Sequence, residues 1–216
     1  MSPIQAAVKR AMDVIASCVG LVVLSPLLLL VGLAIRLTSP GPALFRHRRL
    51  GKHGVPYTIF KFRSMYDNMP DIRNADGSAS SAEDDPRLTP LGRLLRKTSL
   101  DELPELINVL KGEMSLVGPR PDQVDQLQYY AAEEKRKLLV KPGITGLAQV
   151  SGRNQIPWNH RRRIDIQYVE NYSLSQDVVI LLRTIPYVLR REGVFASSSA
   201  PIEQTTTMST KIEEAE

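Results

Sequence analysis

The longest hydrophobic stretch of the chain runs from Val14 to Ile35 without a charged residue. A helix needs roughly 20 apolar residues to cross a bilayer, so this stretch is long enough to enter a membrane. A cleavable signal peptide is disfavoured, because its apolar region is shorter and ends in a small-residue cleavage site. Ser25 and Pro26 lie in the middle of the stretch. Proline removes a helix hydrogen bond, so these two residues predict a break in the helix.

Basic residues lie on both sides of this stretch. Lys9 and Arg10 precede it, and Arg36, Arg46 and Arg48 follow it. Basic flanks favour the cytoplasmic side of a membrane. A re-entrant helix that bends at the Ser-Pro pair would keep both flanks on that side. A spanning helix with a proline kink is the alternative, and these features alone favour neither.

The remaining chain alternates short extended and helical patterns. The stretches 43–50 and 55–65, joined by Gly51-Lys52-His53-Gly54, predict a β-hairpin. Helical patterns follow at 106–110, 122–140, 158–172 and 175–191. In the last of these, Ser175 is the predicted N-cap, Pro186 a kink and Gly193 a stop. Its broad apolar face suits either the protein core or a membrane surface.

Two polar segments complete the predicted organisation. Residues 67–86 are rich in Ser, Asn, Asp and Gly and predict a long mobile loop, a candidate lid over a site. The Ser/Thr/Glu-rich end of the chain predicts a disordered tail. We therefore expect a membrane segment at 1–38, a catalytic domain at 39–195 and a tail at 196–216.

The composition narrows the classes of partner. The chain has 28 basic and 23 acidic residues, a formal net charge of +5, which favours anionic partners such as phosphates, acidic lipids or nucleic acid. Aromatic residues are few and are not interleaved with the basic ones, which disfavours single-stranded nucleic acid. Cys18 is the single cysteine, so an intrachain disulfide is excluded. The three histidines show no metal-ligand spacing.

Asp101 and Glu102 are the first candidates for chemistry. They follow the basic residues Arg93, Arg96 and Lys97 and precede a short apolar helix. Adjacent helical residues point about 100° apart, so one carboxylate could attack while the other holds a metal. The structural alternative is a capping box, in which Glu102 folds back toward the backbone at Ser99.

Further candidates are cations and glycines. Lys61 and Arg63 alternate with phenylalanines, which puts both cations on one face of a strand, either solvated or lining a phosphate site. Arg120 lies between two prolines, in a stiff backbone that suits a diphosphate contact or a surface turn. The Gly143–Gly146 segment could approach a phosphate, although most such glycine pairs are turns.

Together these motifs resemble the bacterial sugar transferase family of monotopic phosphoglycosyl transferases. The resemblance covers about Val8 to Leu189. It rests on Ser39-Pro40-Gly41-Pro42, Lys61-Phe62-Arg63-Ser64-Met65, Ser99-Leu100-Asp101-Glu102-Leu103-Pro104, Met114 through Pro121, Lys141 through Gly146, Gly152-Arg153, Trp158 and Asp165-x-x-Tyr168-Val169. One departure is His47, where the family usually carries Gln.

The resemblance implies an α+β fold with a re-entrant membrane helix broken at Ser25-Pro26, interfacial amphipathic helices, a short hairpin and an irregular catalytic domain. It implies transfer of a phosphosugar from a UDP-sugar to polyprenol (undecaprenyl) phosphate, with Asp101 as nucleophile and Glu102 holding Mg²⁺. The expected substrate contacts are Lys61, Arg63, Arg96, Arg120 and Arg153, with Asp165 orienting one of them.

By the same resemblance, the partners are the UDP-sugar, polyprenol phosphate and membrane lipids rather than nucleic acid. The catalytic domain is expected on the cytoplasmic face of the bacterial inner membrane. The sugar, the glycan pathway and homodimer formation stay open. The alternative function is a non-catalytic, membrane-anchored scaffold that binds anionic partners through its basic surface.

Overall fold

The computed structural model of the protein describes residues 2–74 and 76–196. The helices are α1 (Pro3–Val23), α2 (Ser25–Thr38), α3 (Pro90–Lys97), α4 (Glu105–Lys111), α5 (Trp158–Glu170) and α6 (Leu174–Arg190). The strands are β1 (Leu44–Leu50), β2 (Pro56–Phe62), β3 (Ser115–Val117) and β4 (Gly143–Thr145). Short 3-10 turns cover Lys52–Gly54, Leu100–Glu102, Val124–Tyr129, Glu133–Leu139, Gln149–Ser151 and Arg153–Gln155. The mixture confirms the predicted α+β class.

Helices α1 and α2 form a bent pair that meets at Leu24, directly before Ser25 and Pro26. The bend is 62°. Pro26 cannot donate a backbone hydrogen bond, and the Ser25 hydroxyl instead donates to the carbonyl of Val22. Within the described residues no single helix is long and apolar enough to cross a membrane, whereas this pair passes the same test together. The predicted helix break is therefore confirmed, and its re-entrant nature stays a prediction.

The first turns of α1 are joined to the rest of the protein by buried polar contacts. Lys9 pairs with Asp177 of α6 at 2.5 Å. Arg10 donates to two carbonyls at the C-terminal end of α4, where the helix dipole favours a cation. Asp13 accepts from Ser115 and from the backbone of Leu116 at β3. Helix α1, which belongs to the predicted membrane segment 1–38, therefore contacts the predicted domain at 39–195 directly.

The predicted hairpin is confirmed. Strands β1 and β2 pair antiparallel, and Leu50 lies opposite Pro56 at the turn. Tyr57 and Ile59 of β2 point into a core that they share with Val109 and Met114. A second sheet is formed by β3 and β4, which are parallel. Alternation along β2 thus places one face of the hairpin on α4, as strand periodicity requires.

Two predictions of helical structure are wrong. Residues 122–140 form two separate 3-10 turns, because the backbone at Tyr130 is extended and interrupts the helical pattern between them. Gln126 accepts from the backbone of Gln123 at the start of the first turn, and Glu134 accepts from the backbone of Ala131 at the start of the second. In the last helix, Ser173 and not Ser175 is the N-cap, since its hydroxyl accepts from the backbone of Gln176.

The polar segment 67–86 adopts turns with one isolated bridge between Arg73 and Ala79, and a lid role there stays a prediction. Pro186 lies inside α6, which ends one turn before Gly193 because Arg191 takes a left-handed conformation. Of the predicted tail, 197–216 lies outside the described residues.

Candidate active site

The acidic pair lies in a tight connection between α3 and α4. Ser99 adopts a left-handed conformation with φ 57°, which ends the preceding helix and starts the 3-10 turn Leu100–Glu102. Asp101 and Glu102 are both buried, each with about 8 % of its surface exposed. The side chain of Ser99 does not cap the turn, and Glu102 instead faces cations. The structure therefore excludes the capping-box alternative.

Glu102 is held by basic side chains from three separate segments. Its Oε1 accepts from Lys61 Nζ at 2.8 Å and from Arg120 Nη2 at 2.9 Å. Its Oε2 lies 3.9 Å from Arg153 Nη2. Burial acts to raise the pKa of Glu102, but Arg120, Lys61 and Arg153 outweigh it and hold the pKa well below its ordinary value. Glu102 is therefore a permanent anion at neutral pH.

Asp101 has a different environment. Its carboxylate accepts no hydrogen bond from any side chain or backbone group within 2–74 and 76–196. Burial and the charge of Glu102 raise the pKa of Asp101 to about 6, although Lys61, Arg96 and Arg120 pull the other way. A carboxylate without a partner, in a cationic setting, is free to approach an electrophile.

Glu105 is a third acidic residue of the site, and the sequence analysis missed it. Its Oε1 lies 2.9 Å from Lys61 Nζ. Burial raises the pKa of Glu105 to about 7, despite the attraction of Lys61. The signal that could have found it is spacing, because residues three apart on a helical turn face the same side. Glu102 and Glu105 therefore share one lysine.

Arg96 and Arg153, two of the predicted substrate contacts, each donate a hydrogen bond to a serine hydroxyl. Arg96 donates from Nε to the hydroxyl of Ser64 at 3.0 Å, and Arg153 donates to the hydroxyl of Ser99 at 3.1 Å. Arg153 also takes a left-handed backbone conformation, with φ 51°. Such a conformation costs free energy in a residue other than glycine and is typical of functional sites.

Arg49 and Arg161 extend this group and were not predicted. Burial and the charge of Arg120 lower the pKa of both guanidinium groups, which places all three in one electrostatic neighbourhood. Buried N–H groups of Arg49, Arg153 and Arg161 have no hydrogen-bond partner in the described part of the chain. An unmade hydrogen bond of this kind costs about 1–3 kcal/mol. The set is therefore suited to receive an anion with several acceptor oxygens.

Two predicted site residues lie outside this group. Arg63 is buried and donates to the carbonyls of Ser39 and Pro40, so it connects β2 to the chain that follows α2. Asp165 pairs with Lys137 at 3.0 Å, and none of the predicted arginine contacts is its partner.

The glycines of 143–146 have a packing role. A Cβ on Gly143 would lie 2.1 Å from the backbone nitrogen of Gly118, and one on Gly146 would lie 2.1 Å from the Gly118 carbonyl oxygen. Real Cβ contacts are never this short, so the close approach of two backbone segments explains both glycines.

The acidic side chains of the site are candidate ligands for the expected Mg²⁺. Asp101, Glu102 and Glu105 supply hard oxygen donors of the type that Mg²⁺ prefers. In the described part of the chain no group of three His, Cys, Asp or Glu side chains could hold a metal ion by itself. Mg²⁺ is commonly bound by one or two carboxylates together with substrate phosphates. The residues therefore fit a metal that is shared with a diphosphate.

With the geometry established, comparison with known proteins identifies the family. The family model described as bacterial sugar transferase matches residues 4–191. This chain belongs to that family. The matched range contains α1 except for Pro3 and all of α2 through α6, and so includes the acidic turn and every arginine of the site.

Relatives within the family are similar over most of this chain. An undecaprenyl-phosphate galactose phosphotransferase of Salmonella typhimurium is 43 % identical over 198 residues, which are 87 % of this chain and 41 % of that protein. A UDP-glucose:undecaprenyl-phosphate glucose-1-phosphate transferase of Caulobacter vibrioides is 44 % identical, over 87 % of this chain and 72 % of the relative.

An uncharacterised sugar transferase of Bacillus subtilis, EpsL, is 42 % identical over 92 % of this chain and 95 % of its own length. The chain thus spans about two fifths of the Salmonella relative but nearly all of the Bacillus one. The family match therefore applies to a unit that occurs both in longer and in short proteins.

Proposed function

We propose that the protein is a phosphoglycosyl transferase that moves a phosphosugar from a UDP-sugar to polyprenol phosphate in two displacements at Asp101. The observation that carries this proposal is the pairing of two unlike carboxylates. Asp101 is buried and has no hydrogen-bond partner among residues 2–74 and 76–196, whereas its neighbour Glu102 accepts at Oε1 from both Lys61 and Arg120. The names of the Salmonella and Caulobacter relatives describe the same class of reaction and support it.

In the first displacement, a carboxylate oxygen of Asp101 attacks the sugar-bearing β-phosphorus. The bond from that phosphorus to the bridging oxygen breaks, and UMP leaves with the electron pair. In the second displacement, a phosphate oxygen of the polyprenol phosphate attacks the same phosphorus. The carboxylate of Asp101 is released, and the product is a polyprenol-diphosphate sugar. Covalent catalysis of this kind predicts ping-pong kinetics.

The cations of the site have a positioning and electrostatic role in this scheme. Arg120, Arg153 and Arg96 lie beside the acidic turn. The N–H groups of Arg49 and Arg161 that have no partner among the described residues would donate hydrogen bonds to phosphate oxygens. Preorganised donors of this type stabilise charge that develops on transferring phosphoryl groups. We propose Glu102 as the ligand of Mg²⁺, which when bound would neutralise part of the diphosphate charge.

The bent helix pair would anchor this chemistry at a membrane. We propose that α1 and α2 form a re-entrant hairpin on the cytoplasmic face of the inner membrane. The contacts of Lys9 with α6 and of Arg10 with the end of α4 support it, because they join the start of α1 to the domain that carries the acidic turn. Several large apolar side chains of α2, among them Leu29, Leu30 and Leu37, are more than half exposed, which suits a lipid environment.

The test is UMP release by the purified full-length protein with Mg²⁺, undecaprenyl phosphate and a panel of UDP-sugars. Asp101→Asn should lower UMP release by at least about 10³-fold, because an amide is a poor nucleophile. The matched control is Asp125→Asn, since Asp125 is exposed and forms only a surface ion pair with Arg73. A variant at Asp101 that released UMP as fast as the control would remove it from the mechanism. Retained binding to anionic vesicles without any UMP release would favour the scaffold alternative.

A further inference from the structure

A cavity of about 340 Å³ opens beside the acidic turn. Glu102 and Arg153 are among the residues that line it. Leu181, Thr184, Tyr187 and Val188 of α6 line it as well. The cavity is lined by Leu103, Leu106, Leu116, Ile144, Leu181 and Val188, among others. Its volume falls within the range of ligand pockets, which is roughly 300–1,000 Å³.

Most of the surface of this cavity is apolar. The hydroxyls of Thr145 and Thr184 bond to each other at 2.7 Å, and Thr184 also donates to the carbonyl of Ile180. The hydroxyl of Thr98 donates to the carbonyl of Leu94 at 2.9 Å. Arg153 and Gln149 each keep a buried polar atom without a partner among the described residues. A sugar needs partners for several hydroxyl groups, because a buried polar group without a hydrogen bond is costly, so the cavity suits a hydrocarbon chain that ends in an anion better than the sugar of the donor.

We infer that this cavity binds the phosphate-proximal isoprene units of the polyprenol phosphate acceptor. The inference rests on the proposed function, because it names the subsite of the second displacement. A polyprenol phosphate is an anion joined to a long apolar chain. The cavity lining combines the same two characters. Arg153, which contacts Ser99 and lies 3.9 Å from Glu102, supplies a cation beside the acidic turn, and leucine, isoleucine and valine side chains supply apolar surface.

The wall of the cavity continues toward the bent helix pair. Leu106 lines the cavity, and its Cδ1 atom would lie 3.2 Å from a Cβ placed on Gly20 of α1. Gly20 precedes the bend at Leu24 by four residues. A prenyl chain that left the cavity past Leu106 would therefore run along the exposed apolar surface of α1 and α2, where a membrane-embedded tail must continue.

Cavity-filling substitutions test the inference. Leu181→Trp and Val188→Trp add bulk on the inner side of α6. Leu182→Trp is the matched control, because Leu182 is the neighbour of Leu181 and is 63 % exposed on the outer side. We expect the KM for undecaprenyl phosphate to rise at least tenfold in the two cavity variants and to change less than twofold in the control.

The donor half-reaction separates this inference from the proposed function. With a UDP-sugar and no acceptor, each enzyme molecule should release one UMP in a burst. The burst amplitude should be the same in the cavity variants and in the wild type. A wild-type protein without a burst would contradict the proposed function. A normal burst together with an unchanged acceptor KM in both cavity variants would overturn the cavity assignment.

Photo-crosslinking of the unaltered protein decides the matter if the substituted proteins misfold. The probe is a polyprenyl phosphate that carries a diazirine on its first isoprene unit. Crosslinks should fall on peptides that contain Ile144, Leu181 or Val188, and unlabelled undecaprenyl phosphate should suppress them. Crosslinks confined to residues 3–38 would overturn the inference, as would suppression by a phospholipid at equal concentration.

Discussion

Two buried lysines, Lys61 and Lys137, each lie between two carboxylates, yet the two clusters differ in what surrounds them. We term Lys137, Asp122 and Asp165 the closed cluster. Lys137 Nζ lies 2.6 Å from Asp122 and 3.0 Å from Asp165. Asp122 also accepts from the hydroxyl of Tyr130 and from the indole N–H of Trp158, so its oxygens are used within the protein.

We term Lys61, Glu102 and Glu105 the open cluster. Lys61 Nζ lies 2.8 Å from Glu102 and 2.9 Å from Glu105, almost the same arrangement. Here, however, a further carboxylate, Asp101, has no hydrogen-bond partner among the described residues. Glu102 lines a cavity of about 340 Å³, whereas the cavity that Asp122 and Lys137 line has only about 10 Å³. Arg120 keeps 37 % of its side chain exposed, whereas Lys137 is almost completely enclosed.

The comparison distinguishes an ion cluster that serves to stabilise the fold, the closed cluster, from one that lies at the candidate active site, the open cluster. In each cluster one carboxylate has a lowered pKa, Asp122 or Glu102, and the other a raised pKa, Asp165 or Glu105. A perturbed pKa alone therefore does not mark the active site. The distinguishing feature is the additional acid Asp101, which is buried and has no hydrogen-bond partner in the part of the chain that the structure describes.

The largest expected effect comes from opening the closed cluster. Lys137→Met removes the cation between two buried acids, and loss of one partner of a buried pair typically costs 3–5 kcal/mol. We expect a loss of about 3 kcal/mol, because Asp165 can take up a proton and become neutral. The measurement is the thermal unfolding midpoint of the detergent-solubilised protein, with the exposed Lys135→Met as control.

The same substitution in the open cluster should cost less stability. After Lys61→Met, Glu102 still has Arg120 at 2.9 Å, and Glu105 can be protonated because its pKa is already about 7. If Lys61→Met lowered the unfolding midpoint as much as Lys137→Met, the distinction between open and closed clusters would fail.

An opposite and smaller effect is expected for Asp101→Asn. Burial raises the pKa of Asp101 to about 6, so the charged form destabilises the folded protein above that pH. Replacing the carboxylate by an amide should therefore stabilise the protein at pH 8 by about 1–3 kcal/mol. At about 2–4 °C per kcal/mol, the shift in the unfolding midpoint is measurable. An inactive variant with a lowered midpoint would show that Asp101 is a structural acid.

Local sequence patterns predicted those elements of the fold that depend on interactions between residues close together in the chain. Two extended stretches joined by Gly51-Lys52-His53-Gly54 predicted the hairpin, and Ser25-Pro26 predicted the break between α1 and α2. The local pattern of adjacent acids after a basic cluster marked Asp101 and Glu102 as candidates, and the resemblance, rather than the pattern, assigned Asp101 the role of nucleophile. The tertiary contacts that make Asp101 chemically distinct come from residues far away in the chain, so the residues beside it in the sequence do not reveal them.

Long-range ion pairs could not be read from the sequence. Lys61 and Glu102 are 41 residues apart in the chain, and no periodicity connects them. Asp165 was expected beside an arginine of the site, yet its partner Lys137 lies in a segment that was predicted to be helical. Arg49 and Arg161 were missed as site residues for the same reason. The role proposed for them rests on buried N–H groups, which only the folded chain defines.

The smallest expected effect is the pH dependence that the closed cluster alone contributes. Burial raises the pKa of Asp165 to about 6 in the folded protein, whereas an unfolded Asp titrates near 3.9. The folded state therefore binds more protons between these values, and stability increases as the pH falls through 6. Between pH 7 and pH 5 the gain from this one group is about 1 kcal/mol.

Asp165→Asn should remove that part of the slope of unfolding midpoint against pH. It should leave the contribution of Asp101 in place, because the two acids belong to different clusters. A slope identical to that of the wild type would mean that Asp165 stays charged beside Lys137 over the whole range, and that the closed cluster is a fully ionised triad.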